Sequence, residues 1–248
     1  MSKDSVKTWD NLADTYDMMT ANKSEDSYEY EINFPSILKM IPDTEGLLLD
    51  VGTGSGHFVP SLAKRGLTVD GSDASPKMIE LAQQNYPEYN FFVWDIDSPF
   101  PSKRVYDVVV SKLALMFMKD LNSAAQAFYK ILKPEGTLIL SVIHPTYWFY
   151  YYLCRIHGLE ADTDTIDLSQ GYFSTGSLVR KTIANNESLK VEFIHRTVTD
   201  YIEPFLQNDF TLTAIDEPRL TESFLQTTPR FQDRKTVPIR LNLRLKRI

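Results

Sequence analysis

The sequence predicts an open α/β fold, a mostly parallel sheet with helices packed on both faces. Three observations predict it. An apolar run closes in a glycine-rich turn between residues 47 and 58, a second strand-like segment closes in an acid shortly afterwards, and strand-like and helix-like segments then alternate up to Ile143. The first run, LLLDVGTGSGHF from Leu47 to Phe58, reads as a strand, a tight turn and a helix start. Gly52, Gly54 and Gly56 allow positive φ and let a cofactor approach the main chain without meeting a Cβ. Asp50 ends the strand, placed to orient the loop or to meet a cationic group. Leu67 to Ser72 reads as a second strand ending at Asp73, and Ser75-Pro76 opens a helix through Met78, Ile79, Leu81 and Ala82. An acid about 20 residues beyond a glycine loop, at the end of the second parallel strand, accepts hydrogen bonds from ribose hydroxyls. A nucleoside-containing cofactor is therefore expected. The dinucleotide fingerprint needs a third glycine three positions after Gly54, where His57 stands, and no Walker-type Gly-Lys-Ser/Thr is present.

The next elements narrow the choice. Asn90 to Trp94 reads as a third strand, followed by Asp95 and Ile96, and Tyr106 to Val110 as a fourth, leading to Ser111-Lys112-Leu113. A helix from Ser123 to Leu132 reaches Lys133-Pro134-Glu135-Gly136, and Thr137 to Ile143 forms a fifth strand. Glycines at every second position, the acids that follow and the phrase ILKPEGTL from Ile131 to Leu138 resemble the class I S-adenosylmethionine-dependent methyltransferases of small-molecule type. The resemblance is continuous from Leu47 to His144. It implies a Rossmann-like, seven-stranded methyltransferase sheet with a cap inserted after strand five. It also implies S-adenosylmethionine as methyl donor and S-adenosylhomocysteine as product. Asp73 would then hold the ribose, Asp95 the adenine amino group and Ile96 the adenine ring. The remaining donor contacts would fall on Tyr16, Asp50, Gly52, Thr53, Gly54, Gly56, Ala74, Met78, Lys112 and Leu113. Many small-molecule relatives have His where this chain has Met116, and the Asn/Asp-Pro-Pro-aromatic motif of amino-group DNA methyltransferases is absent. A small-molecule acceptor is the expectation.

Outside this core the chain reads as one domain over residues 1–248. Its parts are N-terminal lid helices (1–45), the cofactor core (46–143), a substrate cap (144–190) and a C-terminal helix with antiparallel strands (191–248). Trp9, Leu12, Ala13 and Tyr16 make an apolar helical stripe that resembles the family's lid. Tyr16 either meets the methionine moiety or packs the helix. In the C-terminal part, Thr199 is placed to cap a helix through Leu206, and Phe210 to Ile215 reads as a strand. Ile239, Leu241, Leu243 and Leu245 alternate as a strand with one buried face, which leaves Arg240, Arg244 and Arg247 on a solvated face.

The cap opens with His144-Pro145-Thr146 and a run of aromatics from Tyr147 to Tyr152. One reading is a buried cap helix or a homodimer contact; the other is an aromatic wall in which Tyr147 and Trp148 hold an acceptor near the sulfonium. Methyl transfer asks the protein for alignment, desolvation and, for some acceptors, a base. His144, at the end of strand five, is the candidate base, or else it fixes the strand-to-cap turn by hydrogen bonding.

Composition sets the outer limits. A net charge of −7 argues against a nucleic-acid partner, and 43% hydrophobic residues argue against disorder. One cysteine, Cys154, excludes an internal disulfide framework and fits a reducing compartment. The N-terminus lacks the apolar core of a signal peptide, and the hydrophobic stretch Leu138 to Leu153 is broken by His144 and Pro145, so a cytoplasmic protein without a membrane span is expected. Glu160, Asp162, Asp164 and Asp167 lack the glycine and closing glutamate of a calcium loop, and no zinc spacing occurs, so no metal is expected. Two other functions stay open at this level. The chain could be a noncatalytic, S-adenosylmethionine-binding regulatory subunit, or a relative that transfers another group of the cofactor.

Overall fold

The computed structural model describes residues 3–24, 26–147, 159–161, 168–184 and 187–248. Trp148 and Cys154, the aromatics that follow Tyr147, and Asp162, Asp164 and Asp167 lie outside the described residues.

Helix α1 (Lys3–Ala21) leads through a π-helical turn (Glu29–Asn33) into α2 (Phe34–Met40). The core then alternates: β1 (Leu47–Val51), α3 (Val59–Ala63), β2 (Thr68–Asp73), α4 (Pro76–Asn85), β3 (Asn90–Val93), β4 (Tyr106–Lys112), α5 (Leu121–Ile131) and β5 (Leu132–Ile143). A helical turn, α6 (Pro145–Tyr147), opens the cap, which contains β6 (Leu159–Ala161), β7 (Gly176–Ala184) and β8 (Glu187–His195). After it come α7 (Val198–Leu206), β9 (Phe210–Asp216), α8 (Glu222–Thr227) and β10 (Arg240–Arg247). The main sheet has seven strands in the order β3-β2-β1-β4-β5-β10-β9. Its first five strands are parallel, and β10 runs antiparallel between β5 and β9. The cap strands form a separate antiparallel sheet, β6-β7-β8.

Both faces of the main sheet are covered. Leu49, Val109, Leu138 and Leu140 pack with Phe128 of α5 and Phe205 of α7 on one side. Leu48, Val108, Val110 and Ile139 pack with Ile37, Leu62 and Ile79 on the other. Because parallel strands are buried on two faces, their sequences read as continuous apolar runs rather than alternations. The helices start where side chains can satisfy free N–H groups. The Ser75 hydroxyl accepts from Met78 N at 3.1 Å, Asp120 accepts from Asn122 N and Ser123 N at 2.8 and 3.2 Å, and Thr197 forms a capping box with Asp200.

Three details differ from the sequence reading. The cap of α7 is Thr197, not Thr199, because the reciprocal bond to Asp200 is available only there. The cap builds a three-stranded sheet as well as its opening turn. The β10 arginines do not form a solvated face: β10 has neighbours on both edges and cover on both faces, with Asn242 fully buried. Arg240 pairs with buried Glu29, Arg244 donates to the Thr213 hydroxyl, and Arg247 donates to the Leu132 carbonyl.

Candidate functional site

The carboxyl ends of β1, β2 and β4, together with the segment after β3, meet beneath α1 around one cavity. This is where an open parallel sheet leaves room for a ligand. Its floor starts at the glycine loop. Gly52, Gly54 and Gly56 have φ of 75°, 57° and 85°, and Gly52 N and Thr53 N both donate to Ser72 O, at 2.8 and 2.9 Å. The loop is thereby pinned to β2. A Cβ on Gly52 would stand 2.5 Å from Ala114 Cβ, so glycine lets the segment after β4 come close. A Cβ on Gly54 would meet only Tyr16 Cε1, at 3.5 Å, across the cavity.

Four acids face this space: Asp26, Asp50, Asp73 and Asp95. Asp50 is 2% exposed; its Oδ2 accepts from the Thr53 hydroxyl at 2.8 Å, while buried Oδ1 has no partner among the described residues. Burial pushes its carboxyl up to about 6, against the opposing pull of the Thr53 hydrogen bond and Lys112. Asp73 accepts from Gly54 N and Ser75 N, each at 2.9 Å, so it also welds the loop to the start of α4. Burial raises its pKa, and those backbone donors hold it down. Lys112 ends β4 with its ammonium 5.1 Å from the Phe34 ring centre and 3.8 Å from Glu29 Oε2. Burial opposes its charge, but Glu29, Tyr16 and Asp26 raise its pKa, so it stays an ammonium. Leu113 follows in a left-handed conformation, φ 56°, with its N–H on Ser141 O at 2.7 Å.

The roof is α1 and the turn after it. Trp9 and Tyr16 meet edge to face at 5.7 Å, and Trp9 meets Phe117 at 4.9 Å. Polar contacts hold this helix down. Asp10 accepts from the Ser75 hydroxyl and Lys77 N at 2.5 and 3.2 Å, and Asp17 lies 2.8 Å from His57 Nε2 and accepts from Asn85 Nδ2 at 2.9 Å. The Tyr30 hydroxyl donates to Thr20 O at 3.0 Å, closing the turn.

Tyr16, Asp50, Gly52, Thr53, Gly54, Asp73, Ala74, Met78, Asp95, Ile96, Lys112 and Leu113, all named from the sequence, line this one cavity. Gly56 does not; it is the glycine on which Phe91, Tyr86 and Ala82 close. His144 and Tyr147 are not among the lining residues either. His144 Nδ1 accepts from Thr146 N at 3.1 Å, its Nε2 lies 2.8 Å from Glu217 Oε1, and burial holds its pKa down against the pull of Glu217. This geometry fixes the strand-to-cap turn. Tyr147 is buried among Tyr28, Phe224, Phe231 and Ile239. Sequence reasoning missed Asp26, Tyr30 and Phe34 on the cavity wall. They belong to a segment without a motif, and only contacts across the chain bring them to the site.

The residues present fit a nucleoside donor carrying an ammonium and a sulfonium. The open Asp50 oxygen offers an acceptor for the ammonium, the bare Gly54 leaves space under Tyr16, and Trp9, Tyr16 and Phe117 present rings that attract a cation.

A family profile described as a methyltransferase domain matches residues 49–140. A demethylmenaquinone methyltransferase of Chlorobaculum tepidum is 29% identical over 140 residues, covering 54% of this chain and 58% of that protein. A malonyl-[acyl-carrier protein] O-methyltransferase of Serratia marcescens is 30% identical over 97 residues, 39% of this chain and 38% of that protein. The chain thus spans less than two thirds of the length of these curated relatives. A solved structure from Listeria monocytogenes, assigned to the S-adenosylmethionine-dependent methyltransferases, superposes with a TM-score of 0.66 at 26% identity, covering 87% of this chain and 96% of its own.

Proposed function

Because this chain belongs to the class I S-adenosylmethionine-dependent methyltransferases, we propose that it transfers a methyl group to a small molecule bound beneath α1. One observation carries the reading. Acids and glycines from the ends of separate strands converge on a single cavity, and one buried carboxylate oxygen there, on Asp50, has no donor among the described residues.

In this reading Asp73 holds the ribose hydroxyls, having already been fixed by its two backbone donors. Asp95 and Ile96 take the adenine. Asp50 receives the ammonium of the methionine end, and Lys112 and Tyr16 stand beside it to receive the carboxylate. S-adenosylmethionine supplies a methyl carbon already activated by a sulfonium leaving group. The protein then aligns the two reactants and keeps water out, which the aromatic roof of Trp9, Tyr16 and Phe117 does. The relatives' names point to small or carrier-bound acceptors, and a net charge of −7 argues against a nucleic-acid acceptor.

The test is calorimetric titration of the folded protein with S-adenosylmethionine and S-adenosylhomocysteine, beside Asp73→Ala. Binding to the wild type and its loss in the variant support the proposal. A folded wild type that binds neither compound ends it.

A further inference from the structure

The polar end of the cavity holds a group that no donor contact requires. Asp26 begins the turn after α1, and its backbone is fixed on both sides: its N–H donates to Asn22 O at 3.0 Å, and its carbonyl accepts from Glu29 N and Tyr30 N at 3.0 and 3.3 Å. These bonds hold the main chain of Asp26 in the turn, and the residue lines the cavity beside Tyr16, Thr20, Tyr30, Phe34 and Lys112. Of the other lining acids, Asp50 is tied to Thr53 under the loop, Asp73 to the main chain of Gly54 and Ser75, and Asp95 follows β3 in the part of the cavity lined by Trp94 and Ile96; Glu29, which is not a lining residue, is tied to Arg240 and Asn33.

We propose that Asp26 is the base of the reaction, taking the proton of a neutral O–H or N–H acceptor seated against Tyr30 and Phe34. This inference rests on the methyltransferase reading above. As the acceptor's lone pair forms the new bond to the methyl carbon, the electrons of the carbon–sulfur bond stay on sulfur, and the acceptor's proton passes to an Asp26 carboxylate oxygen. An acceptor reacting through an anionic carboxylate or phosphate needs no base, and this cavity disfavours it. Lys112 is the cation among the lining residues not already held by a carboxylate of the roof helix, and Glu29 stands against it at 3.8 Å.

The charges that face Asp26 suit the task. Burial and the Glu29 carboxylate push its carboxyl up to about 7, against Lys112, Arg240 and Arg230, with Tyr16 and Tyr30 the other titratable groups at this end of the cavity. A base works best when its pKa lies near the working pH.

The experiment uses carboxyl-labelled aspartate in the full chain loaded with S-adenosylhomocysteine, the Asp26 resonance being identified by its loss in Asp26→Asn. Titration near neutrality supports the proposal, and titration in the ordinary carboxylate range overturns it whichever acceptor is used. Turnover is then followed with labelled donor and three probes: catechol, tyramine and benzoate. Label on catechol or tyramine, with kcat about 10² to 10⁴ lower in Asp26→Asn, the acidic limb of the pH profile gone and donor affinity unchanged, supports it. Partial recovery in Asp26→Glu supports it further. Label on benzoate alone, or a pH profile that Asp26→Asn leaves intact, overturns it. A wild type that binds no S-adenosylhomocysteine fails the broader reading instead, which separates the two outcomes.

Discussion

Replacing Arg240 by Met should cost this protein a large part of its stability, although Arg240 sits on a strand and is not among the residues lining the cavity. Its Nε and Nη2 stand 2.8 and 2.6 Å from one Glu29 oxygen, and the Glu29 side chain is only 3% exposed. At these distances two unit charges attract by about 6 kcal/mol at an effective dielectric constant of about 20. Lys112, 3.8 Å from the other oxygen, remains in the variant and supplies about 4 kcal/mol on the same scale. Breaking a buried pair by removing one partner costs about 3–5 kcal/mol, and the remaining lysine places this case near about 3, roughly a hundredfold in the folding equilibrium.

Acidity supplies a signature. Burial pushes the Glu29 carboxyl up, but Arg240 and Lys112 outweigh it and hold the group below the usual range. A depressed folded pKa gives stability that is present above the unfolded value and lost as pH falls through the folded one. Without Arg240 the buried carboxyl titrates higher, so the variant escapes its penalty by protonation, and its deficit should be largest at pH 7 and shrink towards pH 4. The assay is urea unfolding followed by tryptophan fluorescence at both pH values, with Glu29→Gln/Arg240→Met as the paired control that should cost less than Arg240→Met alone. A deficit below about 1 kcal/mol, the range of an exposed pair, or one that does not change with pH, refutes the reasoning.

Other outcomes follow from single contacts. Gly52→Ala should destabilise by more than the about 1–2 kcal/mol of a left-handed alanine, because its Cβ would also lie 2.5 Å from Ala114 Cβ. Gly54→Ala, whose Cβ meets only Tyr16 at 3.5 Å, should cost less stability and weaken donor binding more; thermal melts and calorimetry read the two apart, and the reverse order would be decisive against this account. Thr197→Ala removes half of the capping box on α7 and should cost about 0.5–2 kcal/mol, recovered by Ser, in chemical denaturation.

The parallel half of the sheet was legible because β1 and β4 carry short apolar runs, β2 ends in an acid followed by a helix cap, and β5 follows a helix-to-strand turn, all of which local chemistry marks. The cavity-lining residues from β1, β2 and β4 were legible for a similar reason: each sits within a few residues of a strand end. Arg240 was misread because alternation along β10 says nothing of what covers its polar side, which is Glu29 on the other end of the chain. Asp26 carried no sequence signal at all. Its position comes from a turn that folds back against Lys112 and Arg240, a long-range arrangement no local pattern encodes.

The order of synthesis gives the Glu29–Arg240 contact a further meaning. These partners are separated by 211 positions, and β10, which carries Arg240, is an interior strand of the sheet. A nascent chain that has made the glycine loop and the first five strands still has one edge of β5 unpaired and an acid in its roof with no guanidinium to receive it. The polar end of the cavity is therefore completed only once β10 has been made, as that strand enters between β5 and β9 and brings a guanidinium to Glu29. Such long-range closure is the slow kind, and it leaves the half-made sheet dependent on whatever shields an open edge until β10 emerges.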